Sequence, residues 1–301
     1  MDMSLYENCR LCPRNCGVNR TKDMSGYCGQ PAAITAARAA LHPWEEPVIS
    51  GTGGSGTIFF SGCNLKCIFC QNRSIALGQT GRQISTERLA EICLELQTKG
   101  AHNINLVTAG HFIPHIIKAL EAARLQGLSI PIVYNTGSYE YADTLRMLEG
   151  LVDIYLPDLK YYSSALSSSF SNAPDYFSVA TVAISEMFRQ VGAPRLNEDT
   201  GLLEKGLIVR HLLLPGQTKD SKKILRYLHE TYGDQIYISI MNQYTPLKQV
   251  ADHPILSCQV TSAEYERVLD FADRIGIRLG FFQEGGTVSE SFIPAFDGEG
   301  L

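Results

Sequence analysis

Residues 57–70 have the sequence TIFFSGCNLKCIFC, in which a short apolar run leads directly into three closely spaced cysteines. The run at 57–61 is rich in β-branched and aromatic residues and predicts a buried strand. Cys63, Cys67 and Cys70 then follow the carboxyl end of that strand, where the reactive residues of parallel α/β folds gather. This segment therefore joins the start of an α/β sheet to a set of metal-binding thiols.

Five further apolar runs follow, separated by segments with helical spacing. The predicted strands are 57–61, 103–108, 131–136, 153–159, 207–214 and 235–242. Strands and helices in alternation predict a parallel sheet with right-handed crossovers, which either closes partly into a barrel or stays open and doubly wound. We predict an α/β fold: a partial (βα)6 TIM-like barrel of parallel strands with a small Cys-rich N-terminal cap. The cap and a connector take up 1–56, and the barrel core with a C-terminal segment takes up 57–301.

The composition is that of a globular protein with a slightly acidic balance. The 301 residues are 45% hydrophobic and carry a formal net charge of −5. Without a global basic field, neither nucleic acid nor an anionic membrane is a predicted partner. No apolar run reaches the roughly 20 residues of a membrane span, and the N-terminus has no export signal. We expect a cytoplasmic protein.

Seven of the nine cysteines fall into two tight groups, which are Cys9, Cys12, Cys16 and Cys28, and then Cys63, Cys67 and Cys70. In a reducing cytoplasm clustered thiols are metal ligands far more often than disulfides. Three thiolates hold three irons of a cubane cluster and leave the fourth iron open, and an open metal site is typical of catalysis. A zinc knuckle with a distant fourth ligand is the alternative for the second group.

The spacing Cys63-x3-Cys67-x-Phe69-Cys70 resembles the defining motif of the radical S-adenosylmethionine (SAM) superfamily. The resemblance implies a catalytic [4Fe–4S] cluster on the three cysteines, with Phe69 beside the cofactor. It also implies that SAM binds the open iron through its amino and carboxylate groups. Reductive cleavage of SAM would then give a 5′-deoxyadenosyl radical, and the chain would be a radical SAM oxidoreductase.

A finer resemblance covers about residues 56–246 and is to the activating enzymes of glycyl radical enzymes, such as pyruvate formate-lyase activating enzyme. The segment CPRNCG at 12–17 is similar to the compact X-type branch of these activating-enzyme-like proteins. The resemblance implies a glycyl radical enzyme as protein substrate and an electron donor such as flavodoxin or ferredoxin. A small molecule or another substrate is the first alternative. A non-catalytic metal-binding scaffold is the second.

The same resemblance implies SAM contacts at the ends of four strands. The implied cofactor-binding residues are Thr108, Ala109, Asn135, Thr136, Asp158, Lys160 and Arg210. At Thr108 and Ala109 backbone atoms would meet the SAM amino group, because the acidic residue that activating enzymes carry at that strand end is missing. The residues at 135, 136, 158 and 160 form either a polar site for a monovalent cation or a plain structural salt bridge. His111 and Tyr244 are additional candidates, each with a structural alternative.

Cys9, Cys12, Cys16 and Cys28 supply four soft ligands within twenty residues. Such a set fits a closed tetrahedral zinc site or an auxiliary iron–sulfur cluster. Pro13, Gly17, Gly26 and Gly29 are the turn-forming residues that either site needs. The spacing allows both interpretations.

Overall fold

A computed structural model describes residues 3–283 and 294–301 of the chain. The described residues form one ten-stranded sheet in the order β10-β9-β8-β6-β5-β4-β2-β1-β3, with β7 paired to β8 outside this path. The strands are β1 (Ile34–His42), β2 (Ser55–Phe60), β3 (Arg82–Ile84), β4 (Ile104–Val107), β5 (Ile132–Thr136), β6 (Ile154–Pro157), β7 (Arg195–Leu196), β8 (Leu203–Leu212), β9 (Tyr237–Met241) and β10 (Gly280–Phe282).

All six predicted strands are confirmed, as β2, β4, β5, β6, β8 and β9, and each pairs in parallel with its neighbour. In the described part of the chain β10 adds a further parallel strand beside β9. Every residue of β2, β5 and β9 is buried, as expected of parallel strands covered on both faces. Among the described strands the sheet stays open between its two edges, β3 and β10. The fold is thus the predicted α/β partial barrel.

Helices connect the strands, and all the described ones except α1 lie between consecutive parallel strands. They are α1 (Pro47–Ser50), α2 (Arg73–Ala76), α3 (Thr86–Thr98), α4 (Ile113–Leu125), α5 (Ala142–Arg146), α6 (Ser164–Ser171), α7 (Tyr176–Val191), α8 (Thr218–Tyr232) and α9 (Ser262–Ile275). In α3 the predicted apolar stripe is buried, and the Ser85 side chain caps the helix by accepting the Arg88 N–H. No helix in the described ranges has both the length and the apolar character that crossing a bilayer requires.

Strand β1 lies in the segment that we predicted to be a connector. Its alanine-rich sequence has low β-propensity, yet it pairs antiparallel with β2 and with β3. Pairing with a fully buried neighbour overrides the propensity. The C-terminal end adds to this edge, since the Ala39 N–H donates to the Glu299 carbonyl. The sheet therefore crosses residue 56, and a domain boundary at that position stays a prediction.

A buried aspartate of α8 fixes the loop that follows β6. The two carboxylate oxygens of Asp220 accept the N–H groups of Tyr162 and Ser163, each at 2.9 Å. The loop between Pro157 and these residues carries Asp158 and Lys160. The position of those two side chains therefore depends on Asp220.

We predict that Asp220→Ala lowers the free energy of unfolding by about 2–3 kcal/mol, because two partly buried N–H groups lose their carboxylate acceptor. Glu230→Ala, an exposed position on the same helix, is the matched control and should leave stability nearly unchanged. Urea unfolding followed by circular dichroism measures both. Equal midpoints for the two variants would contradict this role of Asp220.

Candidate active site

A cavity of about 620 Å³ lies at the carboxyl ends of the parallel strands. Its volume falls in the range of about 300–1,000 Å³ that small-molecule sites have. The predicted site residues on its wall are Cys63, Cys67, Phe69, Cys70, Thr108, Asn135, Thr136, Asp158, Lys160 and Arg210. Ala109 does not line the cavity; it is fully buried, and its neighbour Gly110 lies on the wall instead.

The three-cysteine loop, residues 63–70, leaves β2 through a turn that requires glycine. Gly62 has φ 88°, and a Cβ built on it would lie 2.4 Å from the Gln30 side chain. Farther along, the Ile68 N–H donates to the Phe170 carbonyl at 2.9 Å and ties the loop to the end of α6. The loop is thereby held with its cysteines on the cavity wall.

Hydrogen bonds and burial set the state of the three thiols. Ser171 Oγ donates to Cys67 Sγ at 3.0 Å, and the Leu65 N–H donates to Cys63 Sγ at 3.4 Å. Burial and the neighbouring thiols raise the pKa of Cys63, and they raise the pKa of Cys70 to about 12. These thiols must therefore lose protons when a metal binds, and donors to sulfur stabilise the thiolates that result.

Phe69 belongs to an aromatic cluster behind the loop. Its ring meets those of Tyr161, Phe170 and Tyr244 edge-on, with centroids 6.1–6.4 Å apart. Tyr244 also lines the cavity, and its hydroxyl donates to the Leu256 carbonyl at 2.5 Å. The cluster keeps water away from one side of the thiols.

The same cavity wall carries a network of partly buried charges centred on Arg210. Its guanidinium donates to Asp158 Oδ1 at 3.1 Å, to Glu45 Oε2 at 3.0 Å and to Asn135 Oδ1 at 2.6 Å. Lys160 Nζ donates to Asp158 Oδ2 at 2.6 Å. Burial alone would raise the pKa of Asp158, but Lys160 and Arg210 hold it below its usual value. Asp158 is therefore salt-bridged on both oxygens, and a monovalent cation beside it stays a prediction.

The cavity wall also contains two carboxylates that were not predicted from the sequence, Glu45 and Glu140. Glu140 accepts hydrogen bonds from the Tyr134 hydroxyl at 2.8 Å and from the Thr136 hydroxyl. It lies next to Gly110, where an added Cβ would be 3.0 Å from Glu140 Oε2. A carboxylate thus reaches the end of β4 from the loop after β5. Burial raises the pKa of Glu140.

Glu45 and Glu140 gave weak signals in the sequence. Glu45 belongs to an acidic pair, Glu45-Glu46, just ahead of the glycine-rich segment, and Glu140 follows a predicted strand by four residues. Neither position identifies a partner on another element. The partners become visible only in the folded chain.

Thr108 carries backbone strain at the cavity. It has φ 59°, a left-handed conformation that β-branched residues seldom adopt. Such a residue costs on the order of 1–3 kcal/mol and persists where surrounding contacts hold it, as the hydrogen bond from its N–H to the Asn135 carbonyl at 2.9 Å does here. Strain of this kind clusters at functional sites.

Comparison with known proteins identifies the family. A family model described as the radical SAM superfamily matches residues 57–228, more than half of the chain. The chain belongs to the radical SAM superfamily. Membership implies a [4Fe–4S] cluster and SAM, and it confirms the resemblance found in the sequence.

A curated relative of this radical SAM protein is "Uncharacterized protein MJ0674" of Methanocaldococcus jannaschii, which is 26% identical over 284 residues, covering 92% of this chain and 77% of the relative. Among solved structures, a domain of a pyruvate-formate lyase-activating enzyme from Bacteroides vulgatus has a TM-score of 0.40 at 13% identity, covering 57% of this chain and 91% of that one. Streptococcus suis SuiB bound to its precursor peptide SuiA has a TM-score of 0.49 at 12% identity, covering 75% and 47%.

The donor set fits the cofactors of a radical SAM protein. Three thiols on one wall supply the thiolates that a cubane with one open iron needs. The same cavity is lined by acidic side chains, Glu140 and Asp158, and by basic ones, Lys160 and Arg210. Such a wall suits the ammonium and carboxylate groups of an amino-acid ligand.

The four cap cysteines also come together. Cys9, Cys12, Cys16 and Cys28 line a second, much smaller cavity with Arg20 and His111. His111 lines the large cavity as well. Its ring Nε2 lies 2.7 Å from the Ser61 carbonyl oxygen, and burial lowers its pKa to about 3, so the imidazole is neutral.

We predict that Arg210→Met costs about 3–5 kcal/mol of stability, because Glu45 loses its buried cationic partner. Adding Glu45→Gln should recover part of the loss, since Asp158 keeps Lys160. Arg226→Met on the outer face of α8 is the control. Chemical denaturation of the metal-free protein measures all four chains. A double variant less stable than Arg210→Met would contradict the network.

Proposed function

We propose that this radical SAM enzyme binds a [4Fe–4S] cluster on Cys63, Cys67 and Cys70 and abstracts a hydrogen atom from a substrate in the large cavity. When bound, the cluster and SAM supply reductive cleavage of the sulfonium C–S bond, which gives methionine and a 5′-deoxyadenosyl radical. The observation that carries the proposal is that the three thiols and the charged network of Arg210, Asp158 and Lys160 line one ligand-sized cavity.

The residues at the strand ends would orient SAM. Lys160 and Arg210 are cations already held in position by Asp158, so they can attract the SAM carboxylate without reorganising. Glu140, beside Gly110, is the carboxylate that we propose for the amino group, together with the backbone of Thr108 and Ala109. Asn135 and Thr136 complete the polar wall. Phe69 and its aromatic neighbours cover one side of the three-cysteine loop.

A protein substrate is our first choice, and a glycyl radical enzyme is the specific proposal. Trp44 lines the large cavity and is 61% exposed, which is unusual for tryptophan. Exposed tryptophans are enriched among the residues that anchor protein partners. A flexible loop with a backbone glycine could then enter the cavity. A small-molecule substrate of the same radical is the alternative, and a non-catalytic scaffold is the weakest.

We further propose a cellular compartment, an electron donor and a cap metal for this enzyme. A reducing cytoplasm suits its nine cysteines, which are all free thiols in the structure. A flavodoxin or ferredoxin would supply the electron for each cleavage. The four cap cysteines would hold zinc or a second iron–sulfur cluster.

We predict that anaerobic protein with dithionite converts SAM to methionine and 5′-deoxyadenosine, as measured by liquid chromatography. Cys67→Ser removes one iron ligand and should reduce the rate to background. Cys258→Ser is the matched control, because Cys258 is an exposed thiol away from the cavity. Activity of the Cys67→Ser variant equal to that of the control would rule out the proposed cluster site.

For the protein substrate, we predict that adding SAM, dithionite and the correct glycyl radical enzyme produces a doublet EPR signal on the added protein. The Cys67→Ser variant, mixed with the same partner, is the negative control. SAM cleavage that persists while no candidate partner ever acquires the doublet would favour the small-molecule alternative. Loss of cleavage itself would favour the scaffold.

A further inference from the structure

The four cap thiols surround a space rather than meet at one point. The cavity that they line has a volume of about 20 Å³, measured as the space open to the centre of a water-sized sphere. About 10–15 Å³ of such room suffices for a water molecule. A tetrahedral zinc site with Zn–S bonds of about 2.3 Å would bring its sulfurs to about 3.8 Å from one another and leave no such space. A polynuclear cluster holds its thiolates farther apart.

The spacing of the metal-binding side chains leads to the same conclusion. In residues 3–283 and 294–301, no three His, Cys, Asp or Glu side chains are grouped closely enough to hold one metal ion. The cap cysteines nevertheless share one cavity. Their spacing is thus wider than a single ion would impose.

The backbone around the cap is shaped for thiolate sulfur. The Tyr27 N–H donates to Cys16 Sγ at 3.3 Å. Gly26 permits this approach, because a Cβ at that position would lie only 2.7 Å from the same sulfur. Hydrogen bonds from the backbone stabilise thiolates and tune the clusters that they hold.

A buried cation gives an independent indication of negative charge in the cap. The side chain of Arg20 is only 1% exposed. Its guanidinium donates to the carbonyls of Gln30, Pro31 and His111 at 2.7–3.1 Å and contacts Cys9 Sγ at 3.7 Å. These carbonyls are neutral, and a buried charge requires a counter-charge. Thiolates on a metal cluster supply it.

We infer that the cap binds a second [4Fe–4S] cluster, with one iron on each of Cys9, Cys12, Cys16 and Cys28. Because the chain holds all four irons, this cluster has no open site and does not bind SAM. Of the two metals that the proposed function leaves open, the cap thus binds iron. This assignment does not depend on the substrate.

The second cluster would lie directly behind the wall of the large cavity. His111 lines both cavities, and its carbonyl accepts a hydrogen bond from Arg20 at 2.7 Å. At Gly62, where the three-cysteine loop begins, an added Cβ would lie 2.8 Å from the Cys28 carbonyl oxygen. The two cysteine groups are therefore in contact through single residues.

The test compares three full-length variants with the natural sequence, each purified anaerobically without added metal. A loop variant replaces Cys63, Cys67 and Cys70 by Ser, a cap variant carries Cys12→Ser and Cys16→Ser, and Cys258→Ser is the control. Iron, acid-labile sulfide and zinc are measured per chain, and EPR spectra of the reduced proteins are recorded with and without SAM. We expect about eight irons in the natural chain and the control, and about four in each cluster variant.

SAM should change the EPR spectrum of the cap variant and leave that of the loop variant unchanged. About one zinc per chain in the loop variant, with iron absent, would overturn the inference; so would a SAM response from its remaining cluster. If the cap variant does not fold, the loop variant alone decides. A natural chain with iron in both sites but no response to SAM would contradict the proposed function and leave this inference intact.

Discussion

The guanidinium of Arg210 joins three parts of the chain that packing alone would not align. It binds Glu45 before β2, Asn135 at the end of β5 and Asp158 after β6. A charge buried in a low-dielectric interior is tolerated only when its partners are in place. Electrostatics therefore fixes the charged part of the cavity wall, while hydrogen bonds and aromatic packing fix the three-cysteine loop.

Lys160 connects that charged wall to the thiols. Burial opposes its charge, but Asp158 and then Cys67 raise the pKa of Lys160 above its usual value. The ammonium thus lies within electrostatic reach of both the Asp158 carboxylate and the Cys67 thiol. A cation in this position offsets the negative charge that thiolates bring when they bind iron. The hydroxyl of Tyr176 holds the backbone of this segment. It accepts a hydrogen bond from the backbone N–H of Lys160 at 3.0 Å and donates one to the backbone carbonyl of Asp158 at 2.8 Å.

The parallel sheet and the grouping of three cysteines at the cavity could be predicted from the sequence because both depend on local patterns. Continuous apolar runs mark buried strands, and the spacing of Cys63, Cys67 and Cys70 places their thiols on one short loop. Strand β1 escaped prediction because alanine carries little strand signal. Glu45 and Glu140 escaped because their roles depend on partners from other elements, Arg210 for one and Tyr134 for the other. Sequence patterns report periodicity and spacing, whereas pairing across a sheet is settled by the fold.

The cap packs against the three-cysteine loop and is held there by hydrogen bonds. Arg14, between two cap cysteines, donates to the carbonyls of Asn64 at 2.7 Å and Ser171 at 2.9 Å, and stacks on Tyr27. Asn64 lies beside Cys63 in the loop, and Ser171 is the residue whose hydroxyl donates to Cys67. The two cysteine groups therefore belong to one packed unit, in which the position of the cap and that of the loop depend on each other.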